Sequence, residues 1–130
     1  MTEYILAIDQ GTTGTTALLV GHDLRIHGRQ TIDFPQHFPK PGWVEHDPEE
    51  IWAATRKAIL YLLEKTGITT GQIQAVGITN QRETTLLWER TDGHPVSNAI
   101  VWQCRRTADI CQDLINQGLE ETYRRHTGLV

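Results

Sequence analysis

The sequence feature that most constrains the fold is a polar, glycine-containing turn between two apolar segments. Residues 4–8 and 16–20 are rich in branched apolar side chains and predict strands. The turn between them carries a carboxylate, glycines and threonines: Asp9, Gly11, Thr12, Thr13 and Gly14. We expect glycines at positive φ and threonine hydroxyls beside free backbone amides, an arrangement that suits the phosphates of a magnesium nucleotide. An ordinary β-hairpin uses the same residue types, so the turn alone leaves both interpretations open.

The composition is that of one globular domain without a preference for polyanions. The chain has 130 residues, of which 38% are hydrophobic and 22% are charged, and its net charge is -4. Its basic residues are scattered, which argues against nucleic acid or an anionic membrane as a partner. No apolar run approaches the roughly 20 residues of a membrane-spanning helix, and the first residues lack the pattern of a signal peptide. We therefore expect a cytoplasmic protein.

The pattern of the first half predicts strands followed by a helix. A third strand is expected over 25–33, and the proline-containing segment 34–44 should be an irregular crossover. Asp47 and the proline after it form a strong helix start. Apolar residues at three- and four-residue spacing carry this helix to about Lys65, and Gly67 stands where a cap belongs. Such a helix should pack against the sheet.

The second half adds a parallel strand. A strand over 73–78 follows a helical crossover, so it should pair parallel to the first strand in the centre of the sheet. We further expect strands over 84–90 and 96–101 around a hairpin turn, and then a helix over 107–117. This order is typical of the α/β ribonuclease-H-like, or actin-like ATPase, fold with a mixed sheet. Ligands of open α/β sheets gather at the carboxyl ends of the central strands, which brings Asp9 and the loop after the parallel strand together.

That loop holds Arg82 and Glu83, which in a regular strand would point to opposite faces. In an irregular loop both can face one pocket, where the guanidinium donates to hydroxyl oxygens and the carboxylate accepts from the hydroxyl hydrogens of a polyol. A solvated surface ion pair is the alternative. Trp102 could cover the C–H edge of a polyol or pack in the core. Arg105 and Arg106 precede a predicted helix, where a cation is unfavourable, and this indicates a specific acidic partner; an exposed pair that needs no partner is the alternative.

The histidines and cysteines do not form a metal-binding pattern. The six histidines lack the paired short spacing of a zinc site, so we expect them to be solvated or to cap helices. Cys104 and Cys111 lie about 10 Å apart along a predicted helix axis, which is too far for a disulfide. Both should be reduced, partly buried thiols.

Four segments together carry a family resemblance: 9–13 (DQGTT), 41–48 (PGWVEHDP), 77–84 (GITNQRET) and 98–107 (NAIVWQCRRT). In their order and spacing they resemble the N-terminal part of the FGGY carbohydrate kinases, over essentially the whole chain. The segment 80–83 is similar to that of the members that phosphorylate glycerol. The resemblance implies ATP and Mg²⁺, and transfer of the γ-phosphoryl group to a terminal hydroxyl of glycerol, which yields glycerol 3-phosphate.

The resemblance also implies a role for each candidate residue. Asp9 would be the catalytic-site carboxylate that orients the magnesium nucleotide, through water. The ATP phosphates would be surrounded by Gly11, Thr12, Thr13 and Gly14. Arg82 and Glu83 would bind the glycerol hydroxyls, and Trp102 would lie against the carbon skeleton.

Two departures from the family pattern change these expectations. Thr16 stands where glycerol-phosphorylating members often carry arginine, so one cationic contact to the phosphates is missing. Family members are also much longer, and their catalytic base, an aspartate, lies beyond Val130. We therefore expect residues 1–130 to be part of a truncated N-terminal domain that is inactive alone and contacts the remaining domains or another copy of itself. Another sugar or polyol kinase, or a non-catalytic nucleotide- or polyol-binding module, is the alternative.

Overall fold

The computed structural model describes residues 3–129, which form a four-stranded sheet with a helix packed on one face. The strand order is β3-β2-β1-β5, antiparallel except for the parallel pair of β1 with β5. A second, two-stranded sheet joins β4 to β6. The strands are β1 (Tyr4–Gln10), β2 (Gly14–Gly21), β3 (Ile26–Asp33), β4 (Glu45–His46), β5 (Ile73–Thr79) and β6 (Ala99–Ile100). The helices are α1 (Pro48–Thr66), α2 (Ala108–Asn116) and α3 (Glu120–Thr127), with a 3-10 turn over Thr70–Gln72.

The core lies between α1 and the sheet. Alternate residues of β1 and β2 face the helix, as the period of a strand requires, and α1 presents residues at helical spacing. The buried cluster consists of Leu6, Ile8, Ala17, Leu19, Ala58 and Leu62. This cluster holds β1, and therefore the turn that follows β1, in a fixed position.

The helix α1 begins and ends where the sequence predicts. The Asp47 carboxylate accepts a hydrogen bond from the backbone N–H of Glu49 at 2.8 Å, and Pro48 occupies the first turn. At the other end Gly67 has φ +69° and donates its N–H to the carbonyl of Leu63. The three antiparallel strands and the irregular crossover over 34–44 are confirmed as well.

The second half of the chain corrects several expectations. The strand β5 is parallel to β1 as predicted, but it lies at the edge of the sheet that the described residues form, not in its centre. The segments 84–90 and 96–101 are an irregular hairpin with isolated bridges, and only β6 is a regular strand there. The predicted helix over 107–117 is present as α2, whereas α3 is not predicted because its residues are mostly polar and show no apolar stripe.

The glycines of the first turn also differ from expectation. Neither Gly11 nor Gly14 has a positive φ; the chain uses that conformation at other glycines. A Cβ on Gly14 would lie 2.8 Å from both the carbonyl oxygen of Ile32 and the carboxylate of Asp33. Glycine is therefore required at position 14 by the close approach of β3 and not by backbone twist.

The cysteines are free, which confirms that no disulfide joins them, although Cys111 is exposed and not partly buried as predicted.

Among residues 3–129, no helix has both the length and the apolar character needed to cross a membrane.

Candidate functional site

An open cleft of about 510 Å³ lies at the carboxyl ends of β1 and β5. The parallel register pairs Asp9 with Thr79, so the loops that leave these two strands face each other. The cleft is lined by Asp9, Gln10, Gly11, Thr12, Asn80, Gln81, Arg82, Glu83, Trp102 and Leu129. The structure thus brings together the two loops that the sequence singles out.

The turn between β1 and β2 is closed by its own backbone and braced by more distant residues. The Gly11 N–H donates to the carbonyl of Gly14 at 3.0 Å. The Thr12 hydroxyl accepts from the indole N–H of Trp102 at 3.1 Å, and the Thr12 carbonyl accepts from the amide of Gln36 at 2.8 Å. These contacts fix the turn before any ligand arrives, which reduces the entropy cost of binding.

Two of the predicted phosphate-binding residues lie beside the cleft and do not line it. The Thr13 carbonyl accepts a hydrogen bond from the Phe34 N–H at 3.2 Å, and Gly14 contributes the carbonyl that closes the turn. Thr16, at the position where a cation is expected, hydrogen-bonds through its hydroxyl to that of Thr31 at 2.8 Å. Their contacts are structural in this chain.

The Asp9 carboxylate is exposed in the cleft, and no hydrogen bond or ion pair joins it to any residue in the range 3–129. Its oxygens are available to an external donor or cation. No cluster of three or more His, Cys, Asp or Glu side chains that could hold a metal ion exists in the same range. Asp9 therefore fits Mg²⁺ only as Mg²⁺ usually binds with nucleotides, through one carboxylate, waters and phosphates.

Gln10 ties the cleft to the core. Its side-chain oxygen accepts hydrogen bonds from the hydroxyls of Thr15 at 2.6 Å and Thr55 at 3.1 Å. Thr15 is fully buried, so this hydrogen bond satisfies a hydroxyl whose burial would otherwise be destabilising. The end of β1 is thereby anchored to α1.

The loop after β5 breaks the alternation of a strand at Glu83, whose φ is +63°. This conformation is uncommon for a residue with a side chain and concentrates at functional sites. It allows Arg82 and Glu83, which are neighbours in sequence, to line the same cleft. Both side chains are exposed, and within the described chain neither is hydrogen-bonded or ion-paired.

Trp102 completes the cleft from a third direction. Its side chain is 52% exposed, so it is not the core residue that the sequence allows as an alternative. One edge of the indole is fixed on Thr12, and the residue follows β6 and the buried Val101. An exposed indole beside a guanidinium and a carboxylate is a composition that suits a small polyol.

An ion pair between Arg106 and Glu45 anchors the segment that follows Trp102. The Arg106 guanidinium donates to the Glu45 carboxylate at 2.5 Å and stacks over the Trp43 ring at 3.8 Å. The hydrogen bond from Arg106, together with one from Asn98, lowers the pKa of Glu45. Arg106 thus has the acidic partner that its place before α2 indicates, and its stacking on Trp43 ties α2 to the crossover.

Sequence reasoning misses several residues around the cleft. Gln10, Asn80 and Gln81 line it, and His46 lies fully buried behind it. The three amides belong to two of the segments that carry the family resemblance, so their place in those motifs is an available signal. No local signal distinguishes the buried His46 from the solvated histidines.

Comparison with known proteins identifies the family of this chain. The sequence model of the N-terminal domain of the FGGY family of carbohydrate kinases matches residues 4–130. A protein named glycerol kinase from Aeromonas hydrophila is 54% identical over 98% of this chain, and one from Salmonella arizonae is 55% identical over 100% of it. In both cases the chain spans 26% of the relative's length, about a quarter.

Solved structures of such kinases share the fold. A gluconate kinase from Lactobacillus acidophilus superimposes with a TM-score of 0.85 at 26% identity, over 96% of this chain and 25% of that one. A Plasmodium falciparum glycerol kinase with ADP superimposes with a TM-score of 0.72 at 34% identity, over 87% of this chain and 23% of that one. The predicted fold class, a mixed α/β sheet of the actin-like ATPase type, is therefore confirmed.

Proposed function

The chain belongs to the FGGY family of carbohydrate kinases, and we propose that it supplies the polyol-binding loop and the phosphate-binding turn of an ATP-dependent glycerol kinase. The complete reaction transfers the γ-phosphoryl group of ATP to a terminal hydroxyl of glycerol and gives glycerol 3-phosphate. Because this chain spans about a quarter of its glycerol kinase relatives, the remaining walls of the site come from further domains.

One observation carries the proposal. Asp9 and Thr12 of the first turn share a cleft with Arg82, Glu83 and Trp102. A phosphoryl donor held at the first turn and a hydroxyl acceptor held at the second loop would therefore meet in one space. Phosphoryl transfer depends chiefly on such positioning and on stabilisation of charge.

Arg82, Glu83 and Trp102 have distinct roles in binding glycerol, the acceptor of the phosphoryl group. The Arg82 guanidinium donates to glycerol oxygens, and the Glu83 carboxylate accepts from glycerol hydroxyl hydrogens. Opposite charges on adjacent residues compensate each other, which suits a neutral substrate. The exposed face of Trp102 covers the carbon skeleton and excludes water from it.

The donor half centres on the first turn. Asp9 would hold Mg²⁺, and the phosphates of ATP would lie against Gly11 and Thr12, which line the cleft. Thr13 and Gly14 would shape the turn beside them. When bound, Mg²⁺ neutralises charge on the phosphates of the nucleotide. The general base lies outside this chain, so we expect residues 1–130 alone to transfer no phosphoryl group. We place the complete enzyme in the cytoplasm.

A chimera tests the proposal. Residues 1–130 replace the matching segment of the Aeromonas hydrophila relative, and phosphorylation of glycerol by ATP is measured by following the formation of ADP. We expect activity with glycerol that exceeds activity with gluconate or xylulose. Arg82→Ala should lower kcat/KM for glycerol by about a hundredfold, because the hydrogen bonds from this guanidinium position the acceptor.

Arg90→Ala is the matched control, since Arg90 is an exposed arginine outside the cleft. It should leave kcat/KM unchanged. If the folded chimera prefers another polyol, that polyol replaces glycerol as the proposed substrate. A folded chimera without kinase activity would reject the proposal.

A further inference from the structure

His46 is a fully buried histidine whose two ring nitrogens both have hydrogen-bond partners. It lies in β4, and its ring packs edge-on against Phe34 at a centroid distance of 5.1 Å. Nε2 is 2.7 Å from the side-chain oxygen of Gln36, and Nδ1 is 3.2 Å from the side-chain nitrogen of Gln81. A buried polar ring with two partners is a specific arrangement, because each nitrogen must match the donor or acceptor that faces it.

The Thr12 carbonyl, which can only accept, fixes the direction of the hydrogen bonds at one end of this relay. Gln36 donates its amide N–H to the Thr12 carbonyl at 2.8 Å, so its oxygen must accept from His46 Nε2–H. His46 Nδ1 then carries a lone pair and accepts from the amide N–H of Gln81. The Gln81 oxygen in turn accepts from the Thr84 hydroxyl at 3.2 Å. With the nitrogen of the Gln81 amide facing His46, as the structure places it, all donors and acceptors are matched only when His46 is neutral and protonated on Nε2.

The two ends of this relay lie on the two loops of the cleft. Thr12 belongs to the turn after β1, and Gln81 immediately precedes Arg82 in the loop after β5. The β1–β5 pairing ends at Asp9 and Thr79, so no sheet hydrogen bond holds the two loops together beyond that point. The relay through His46 is a side-chain path that spans them.

We infer that His46, as the neutral Nε2–H tautomer, is a positioning residue that sets the polyol-binding loop at a fixed distance from the phosphate-binding turn. It touches neither ligand. It acts through Gln81 on the backbone of Arg82, and through Gln36 on the backbone of Thr12. This role rests on the proposed function, although the protonation pattern itself does not.

The electrostatic surroundings of His46 favour the neutral ring. Burial lowers its pKa, the neighbouring His37 acts in the same direction, and Glu50 opposes them. Glu50 is itself engaged, since its carboxylate lies 2.8 Å from His37 Nε2. Protonation of Nδ1 would remove the acceptor that Gln81 needs and leave two N–H groups facing each other.

The tautomer can be measured directly on this chain. Long-range proton–nitrogen NMR spectra of the ¹⁵N-labelled protein at neutral pH distinguish protonated from unprotonated ring nitrogens. We expect Nε2 of His46 to be protonated and Nδ1 to be unprotonated, and Gln81→Met to change the Nδ1 shift while leaving Nε2 protonated. An imidazolium, or the Nδ1–H tautomer, would overturn the inference whatever the function of the protein.

The positioning role is tested in the chimera described above. Gln81→Met removes the donor to His46 and leaves Arg82 in place, so KM for glycerol should rise roughly tenfold while kcat changes less. His46→Phe should raise KM by a similar factor, and the double variant should be no worse than the single variants, because both break one path. His22→Gln, at an exposed histidine, is the matched control.

A purely structural role predicts something different. It would lower the thermal midpoint of Gln81→Met without a change in KM for glycerol, and that result would overturn the positioning role. Loss of all activity in the unsubstituted chimera would reject the proposed function and leave the NMR result to decide the relay. The two failures are thus distinguishable.

Discussion

The sheet-and-helix region over 3–68 and the region over 80–129 differ in how they bury their apolar residues. In the first, β1 and β2 enclose a continuous core with α1. In the second, the described apolar side chains that are buried are Ala99 and Val101, whereas Leu87, Trp88 and Ile110 are at least 60% exposed. The first region therefore has a core that can stabilise it, while the second buries few apolar side chains of its own.

The difference explains where the cleft lies. Its floor, Asp9 to Thr12, is held by the core of the first region, and its walls come from loops of the second. The comparison predicts that stability resides in the first region and that the second contributes mainly through the bonds joining the two.

The largest effect is expected in the core of the first region. Leu62→Ala removes a fully buried side chain between α1 and the sheet and should lower the free energy of unfolding by about 2–5 kcal/mol. Leu60→Ala, on the exposed face of the same helix, should change it by less than about 0.5 kcal/mol. Urea unfolding followed by circular dichroism gives both values. Equal losses in the two variants would contradict the claim that the core between α1 and the sheet stabilises the protein.

The next effect concerns the ion pair that ties the second region to the crossover. Arg106→Met leaves the Glu45 carboxylate, whose side chain is only 16% exposed, without its charged partner. We expect a loss of about 1.5–3 kcal/mol in the same unfolding experiment. Arg105→Met, at the exposed arginine next to it, is the control and should leave the free energy of unfolding nearly unchanged. An equal loss in Arg105→Met would show that removal of a positive charge, and not loss of the ion pair, destabilises the protein.

A smaller effect separates two glycines in strands. Gly14→Ala forces a Cβ against β3 and should cost about 1–3 kcal/mol, because backbone atoms must move. At Gly77, in β5, a Cβ meets nothing within 4 Å, so Gly77→Ala should be neutral to within about 0.5 kcal/mol. Thermal unfolding of the two variants compares them, and a larger loss at Gly77 would contradict the described packing of β5.

These contrasts also show what the sequence can predict. The helix α1 is predictable because Asp47 and Gly67 mark its ends locally. The strand β1 is predictable because it is a short run of apolar residues, and these residues pack in the core. The cleft loops are predictable because Asp9 and Arg82 each follow a recognisable strand. In each case the local signal and the tertiary packing agree.

Other features depend on contacts that no local pattern records. The irregular shape of the hairpin over 84–101 accompanies a region with little buried surface to enforce regular strands. The sequence predicts a solvated or helix-capping His46, yet His46 is buried because Gln36 and Gln81, distant in sequence, supply both partners. The sequence attributes Gly14 to backbone conformation, whereas its cause is the approach of β3.

The smallest expected effect is a pH dependence of stability. Burial lowers the pKa of His46 below its ordinary value of 6.5, so the unfolded chain takes up the proton first as the pH falls. The free energy of unfolding should therefore be constant with respect to His46 above about pH 6.5 and should decrease below it, towards the folded-state pKa. His46→Phe should remove this part of the slope.

Urea unfolding at a series of pH values measures this slope. His22→Gln, at an exposed histidine, should retain it. An unchanged slope in His46→Phe would mean that His46 has the same proton affinity in the folded and unfolded chains.

The most direct measurement of the central claim, that two loops of this chain form one polyol-binding cleft, is a glycerol titration followed by proton–nitrogen NMR of the 130-residue protein. We predict saturable shifts at the backbone amides of Arg82 and Glu83 and at the Trp102 indole N–H, and we predict that Arg82→Ala abolishes them. Shifts that increase without saturation across the whole chain, or saturable shifts confined to residues outside the cleft, would contradict the claim.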